Sequence, residues 1–159
     1  MKPFVKWAGG KRQILERIKG FIISSLDEKD LNSIKYFEPF LGGGAVLFDL
    51  QPAKACVNDL NTDLINAYKV IQSDKINELI LMLEEYQNRY REEDRDELYY
   101  STRAKDRTAE WNRMSDVEKA ARMIFLNRTC YNGLYRVNSL GQFNTPMGRY
   151  KNPLICDKE

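Results

Sequence analysis

The 159-residue chain contains no histidine. That removes imidazole general bases, Ser-His and Cys-His nucleophile pairs, and the commonest metal ligand. Its three cysteines, Cys56, Cys130 and Cys156, form no CxxC pair. Structural zinc and a disulfide framework are therefore not expected, and the thiols read as small buried hydrophobes in a reduced compartment. No metal is implied. The fully apolar runs are only a few residues long, too short to cross a bilayer. Met1-Lys2-Pro3 does not lead into the apolar stretch of a secretory signal, so a cytoplasmic protein is the default expectation. Proline is sparse, and no two prolines are adjacent.

What is present describes a globular protein about one domain long, with 43% hydrophobic and 30% charged residues. Net charge is only +2, but it is unevenly spread. Residues 61–100 carry 5 Lys+Arg against 10 Asp+Glu, whereas residues 101–159 carry 11 against 6. From Lys119 to Lys151 there are six cations and no acid, interleaved with Phe125, Tyr131, Tyr135, Phe143 and Tyr150. Lys and Arg meet phosphates, Arg and Asn read base edges, and rings stack on bases, so this composition suits a nucleic-acid surface. On composition alone, a solvated face with core aromatics is the preferred reading. The acidic run from Glu92 to Glu97 reads as a solvated helix end or loop.

Periodicity outlines the organisation. Two short strand-like runs, Lys35–Phe40 and Ala53–Val57, flank Gly42-Gly43-Gly44 and the helical Ala45-Val46-Leu47-Phe48. Strand, glycine turn, helix, strand is a βαβ unit and implies a parallel sheet. Phe4–Trp7 is a candidate third strand. A preceding helix over about 11–23 has Ile14, Leu15, Ile18 and Ile22 as its apolar stripe. After Val57 the pattern is helical, with Asn61 and Asp74 as candidate caps and Ser115-Asp116-Val117-Glu118 as a capping box. That last helix gives out near Cys130, ahead of the turn signal Asn132-Gly133. A ribbon follows: extended Leu134–Asn138, a turn at Ser139-Leu140-Gly141, then Gln142–Thr145.

Two stretches carry candidate chemistry. Glycines after a parallel strand let the backbone approach a ligand, and an acid ending the next strand can accept from a ribose diol. Asp59 lies 17 residues after Gly42, near the roughly 20 of dinucleotide folds. The spacing is not GxGxxG, and Glu38-Pro39 sits in the turn itself. A carboxylate there repels a pyrophosphate but suits a cationic sulfonium, which points to S-adenosylmethionine. The second stretch is Lys6-Trp7-Ala8-Gly9-Gly10-Lys11-Arg12. It fails the Walker pattern, and a role in holding a ligand carboxylate, with Trp7 on an apolar or adenine part, fits better. Taken alone, a core tryptophan beside a capping turn explains the same residues.

These motifs, with Asn58-Asp59-Leu60-Asn61 and the run from Asn127-Arg128 through Tyr131-Asn132-Gly133-Leu134-Tyr135-Arg136-Val137-Asn138 to Phe143-Asn144-Thr145-Pro146-Met147-Gly148-Arg149-Tyr150, resemble the Dam/DpnM family of DNA adenine-N6 methyltransferases. The resemblance covers nearly the whole chain, in order. It implies an α/β fold: a partial Rossmann-like S-adenosylmethionine-dependent methyltransferase sheet with an inserted helical target-recognition domain ending in a β-hairpin. The boundaries expected are 1–63 for the first part of the catalytic domain, 64–153 for target recognition, and 154–159 for the return to the sheet. Carried over residue by residue, Trp7, Lys11 and Asp59 contact S-adenosylmethionine, with Ala8, Gly9, Gly10, Pro39, Phe40 and Gly42 lining its pocket. On double-stranded DNA, with GATC the family's site, Leu134, Arg136 and Pro146 become base-reading positions. Tyr131 and Asn132 wedge beside the extruded adenine. Arg128, Asn138, Asn144, Arg149 and Tyr150 hold phosphates or neighbouring bases, and Lys6 reaches flanking DNA.

The family's catalytic Asp/Asn-Pro-Pro-Tyr/Phe has no counterpart, and Asn152-Pro153-Leu154-Ile155 lacks the second proline and the ring. The expectation is therefore an inactive N-terminal fragment of a longer methyltransferase, with no catalytic residue in this chain. Its unfinished strand edges are expected to favour self-association. A non-catalytic DNA-binding module is the alternative. A nicotinamide-dependent oxidoreductase is disfavoured by the glycine spacing and the basic ribbon.

Overall fold

The computed structural model describes residues 2–26 and 30–158, apart from the side chain of Arg12. It is mixed α/β, mostly helical, and falls into two compact units, Met1–Asn61 and Thr62–Glu159.

In the first unit, a 3-10 turn over Lys11–Ile14 runs into helix α1, Leu15–Ser24. Strand β1, Tyr36–Glu38, pairs in parallel with β2, Ala55–Val57, and helix α2, Ala45–Leu50, connects them. Tyr36 lies opposite Ala55, Phe37 opposite Cys56 and Glu38 opposite Val57. The expected βαβ unit is thus present with shorter strands. Phe4–Trp7 is not a strand; it passes through a bend that buries Val5. Two strands form a parallel pair, and a wider Rossmann-like sheet is not seen among the described residues. The core is small: Val5, Leu41, Val46 and Leu50. The predicted stripe of α1 is half-exposed at best, since no residue of that helix is fully buried.

The second unit is built around helix α6, Asp116–Thr129, which packs against α3, Thr62–Gln72, α4, Ile76–Glu92, and α5, Arg95–Ala104. Ten of the fourteen residues of α6 are buried, so it is the core helix and not the one-sided helix its predicted stripe implied. Phe125 sits at the centre, stacked on Tyr86 at 4.5 Å between ring centroids and edged by Tyr90. The Ser115–Glu118 capping box is formed on both sides. Asp74 does not cap α4; the hydroxyl of Ser73 instead accepts from the N–H of Lys75. Helix α5 was not foreseen, and it starts inside the acidic run, where Asp94 accepts from the N–H of Glu97.

Two further expectations need correction. The hairpin is reduced to one antiparallel bridge, Val137 with Phe143, closed by a tight turn at Asn138–Gly141. Only Cys130 is a buried thiol, whereas Cys56 is exposed on β2 and Cys156 is half-buried. No helix among the described residues is long and apolar enough to cross a membrane.

Candidate functional site

The first unit draws its two sequence motifs together around Gly42. One carboxylate oxygen of Asp59 accepts from the N–H of Gly42 at 2.8 Å, and the other from the N–H of Asn61 at 2.9 Å. Gly42 is held at φ +53°, and a Cβ there would lie 3.0 Å from Cδ1 of Trp7. The glycine therefore permits both the left-handed turn and the close approach of the indole. Gly10 returns an N–H to the carbonyl of Trp7 at 3.2 Å, across the turn that Gly9 makes at φ +72°. The ammonium of Lys11 donates to the carbonyl of Phe40 at 2.9 Å and to Glu38 at 3.3 Å. Trp7, Gly10, Lys11, Phe40, Gly42 and Asp59 are thus linked by direct contacts. Ala8, Gly9 and Pro39 are exposed beside them, as is Lys6, and the Phe40 ring is 71% exposed.

The charges revise the sign argument made from sequence. Glu38 is buried and does not confront a ligand, because Lys11 and the hydroxyl of Tyr36, at 2.9 Å, satisfy its carboxylate. Burial, and then Glu38, push the Tyr36 phenol well above its ordinary range, which keeps it a donor. Lys11 and Glu38 cancel. The Asp59 carboxylate has no salt-bridge partner among the described residues and accepts only from the two backbone N–H groups. That charge opposes a pyrophosphate and favours a ligand with a cationic centre. The turn therefore lacks the unopposed cation that a dinucleotide's pyrophosphate needs.

In the second unit the cationic run does not form one solvated face. Arg122 is completely buried. Arg128 has a side chain only 16% exposed, points at Asp157 across 3.6 Å, and has its guanidinium pKa lowered by burial. Of the five interleaved aromatics, Tyr131 alone is fully at the surface. Phe125 and Phe143 are core, and Tyr150 is half-buried. Tyr135 tilts against Phe143 and donates to Asp63; burial first and Asp63 second raise its pKa far above normal.

The segment after α6 nevertheless presents a surface of mixed polar and apolar side chains. Tyr131 and Asn132 lie in a 3-10 turn, with Asn132 at φ +54°, and the N–H of Tyr131 donates to the carbonyl of Pro146. Leu134, Arg136, Pro146 and Arg149 are exposed. Asn138 shapes the turn: its side-chain oxygen accepts from the N–H groups of Leu140 and Gln142, both at 3.0 Å. Asn144 receives Nε of Arg136 at 2.9 Å. The two terminal nitrogens of that guanidinium have no partner among the described residues.

Sequence reasoning missed the groups that hold this segment. Tyr99 and Arg103 of α5 both donate to the carbonyl of Thr145, at 3.0 and 3.2 Å. Tyr90 of α4 donates to the carbonyl of Tyr150. Gln87 donates to the carbonyl of Pro153 and accepts from the N–H of Ile155, so the half-motif Asn152-Pro153-Leu154-Ile155 is pinned to α4. Backbone groups that lack a strand partner are satisfied by buried side chains instead. Helical spacing marked Tyr90 alone among them; Gln87, Tyr99 and Arg103 carried no signal that was read.

Residues 7–159 match the family described as D12 class N6 adenine-specific DNA methyltransferase. The chain is 45% identical over 159 residues, all of its length, to Type II methyltransferase M1.LlaDCHI of Lactococcus lactis subsp. cremoris, covering 52% of that protein. It is 47% identical over 166 residues to Type II methyltransferase M.MjaIII of Methanocaldococcus jannaschii, again over all of its length and 56% of the relative. The DNA adenine methylase of Salmonella typhi is 34% identical over 164 residues, covering 99% of this chain and 51% of that protein. The chain spans about half the length of these curated relatives. Together with the glycine turn closed by Asp59, these matches make the chain a member of the D12 class of N6 adenine-specific DNA methyltransferases.

Proposed function

We propose that this chain supplies the cofactor-binding and target-recognition parts of an enzyme that methylates adenine N6 in double-stranded DNA, with S-adenosylmethionine as methyl donor and GATC as target. The observation that carries the reading is the closure of Asp59 onto Gly42 beneath the indole of Trp7. When bound, the cofactor supplies an electrophilic methyl group. Trp7, Gly10, Gly42 and Asp59, with Ala8, Gly9, Lys11, Pro39 and Phe40 around them, hold its nucleoside and amino-acid ends. Residues 1–63 and 154–159 belong to the catalytic domain in this reading, and 64–153 to target recognition. The location that suits this work is the cytoplasm. The exposed Phe37 and Cys56 of the two-stranded sheet are where self-association is proposed.

N6 methylation needs acceptors for the hydrogens of the amine and a ring beneath the flipped base. No Pro-Pro-aromatic motif is present to provide them, so the 159 residues are expected to transfer no methyl group. Tritiated methyl incorporation into GATC-containing DNA above a no-enzyme blank would overturn that expectation.

Arg136 is the proposed guanine reader, its free terminal nitrogens matching O6 and N7. Arg136→Ala is expected to weaken binding to a GATC duplex by about 1–3 kcal/mol and to relax base preference. Lys151→Ala is expected to weaken every duplex alike. Fluorescence anisotropy on GATC and scrambled duplexes separates the two. Equal losses on both duplexes for Arg136→Ala would remove its reading role.

A further inference from the structure

We propose that Asp106, Arg107 and Arg122 are positioning residues that set target specificity by clamping the backbone of Phe143, a role that rests on the DNA reading above. Two neighbouring side chains hold both polar groups of one residue. Asp106 Oδ2 accepts from the N–H of Phe143 at 2.8 Å, and Arg107 donates to its carbonyl at 2.6 Å. Arg107 also pairs with the other carboxylate oxygen of Asp106. Behind them, Arg122 reaches Asp106 Oδ2 at 2.7 Å and donates to the carbonyls of Thr102 and Arg103, at 2.9 and 2.8 Å. Those two carbonyls belong to the last turn of α5, where a cation is favoured. The guanidinium of Arg122 also lies 4.9 Å from the ring of Trp111.

Phe143 is the residue whose fixation matters most for Arg136. It makes the only bridge across the ribbon seen among the described residues, with Val137, and it precedes Asn144. Asn144 donates its N–H to the carbonyl of Arg136 at 2.9 Å and accepts Nε of the same residue. The clamp on Phe143 therefore fixes the register that aims Arg136. An apolar cluster of the same volume usually stabilises a fold as well as or better than buried charges do. A fully buried arginine at the foot of a recognition segment is better explained by orientation than by stability.

Arg107→Lys tests this, because it keeps the charge but loses the planar fork that joins Asp106 to Phe143. Binding to GATC and scrambled duplexes is measured over a range of salt, with hydrogen exchange at the amides of Phe143 and Asn144. The expected result is faster exchange at those amides with α6 unchanged. The scrambled-duplex affinity and its salt slope stay as in wild type, and preference for GATC falls by about tenfold. Asp106→Asn, which breaks the other half, is expected to lower the preference in the same direction. If Arg107 merely touched phosphate, lysine would preserve the preference, and that result overturns the proposal. Loosened amides with an intact preference overturn the specificity role alone. Wild-type protein with no preference for GATC overturns the DNA reading, and the specificity role falls with it.

Discussion

Arg122→Met is expected to destabilise the helical unit by about 3–5 kcal/mol. The guanidinium is fully buried and serves Asp106, two carbonyls of α5 and the Trp111 ring. Methionine fills the volume but withdraws one donor from each carbonyl, leaving Thr102 with the N–H of Lys105, Arg103 with Arg107, and Asp106 with Arg107 as its remaining cation. At this unit size each kcal/mol moves the melting temperature by about 4–8 °C, so a fall of well over ten degrees is anticipated in thermal unfolding followed by circular dichroism. Residues in one network do not add independently. Asp106→Asn combined with Arg122→Met should be milder than the sum of the two single changes. A single variant within about 1 kcal/mol of wild type would show that the network does not support the fold.

Gly42→Ala is the change expected to damage the first unit most. Left-handed backbone disfavours an L side chain by about 1–2 kcal/mol, and the new methyl group would press on the indole of Trp7 at 3.0 Å. Relief requires Trp7 to move or the turn to open, and opening releases Asp59 from the Gly42 amide. The small core of this unit has little reserve against either. Calorimetric affinity for S-adenosylmethionine is expected to fall by at least about tenfold, since 1.4 kcal/mol already gives that factor. Gly9→Ala is the informative comparison. It imposes the same backbone penalty at φ +72° but meets no atom within 4 Å. Equal effects at the two positions would mean that contact with Trp7 is irrelevant.

The legible parts of the sequence were those where local chemistry fixes local structure. Glycines after a strand announced the turn at Gly42, whereas Asp59, expected to face a ribose, accepts from the Gly42 amide. The Ser115–Glu118 box marked the start of α6 to the residue. Long-range placement was not legible. Nothing local distinguishes Arg122, buried among carbonyls, from Arg136 at the surface, because the difference is tertiary: α6 is enclosed by α3, α4 and α5, whereas Arg136 lies on the exposed ribbon. The same holds for Glu38, whose charge is answered from 27 residues away by Lys11. The ribbon was expected as a hairpin from two extended stretches around the Ser139-Leu140-Gly141 turn, but much of its backbone is held by side chains of α4 and α5. Helix α5 was overlooked because charged residues at its start masked an apolar face carried by Leu98, Tyr99 and Thr102.

The way Gln87, Tyr90, Tyr99 and Asp106 grip the main chain has an evolutionary consequence. Anchors that bind only peptide groups are indifferent to the identity of the residue they grip. The proposed base-reading positions Leu134, Arg136 and Pro146, all exposed, can then be exchanged by point mutation with the helical scaffold untouched. A protein built this way can drift toward a new recognition site through a few codons, without passing through an unfolded ancestor.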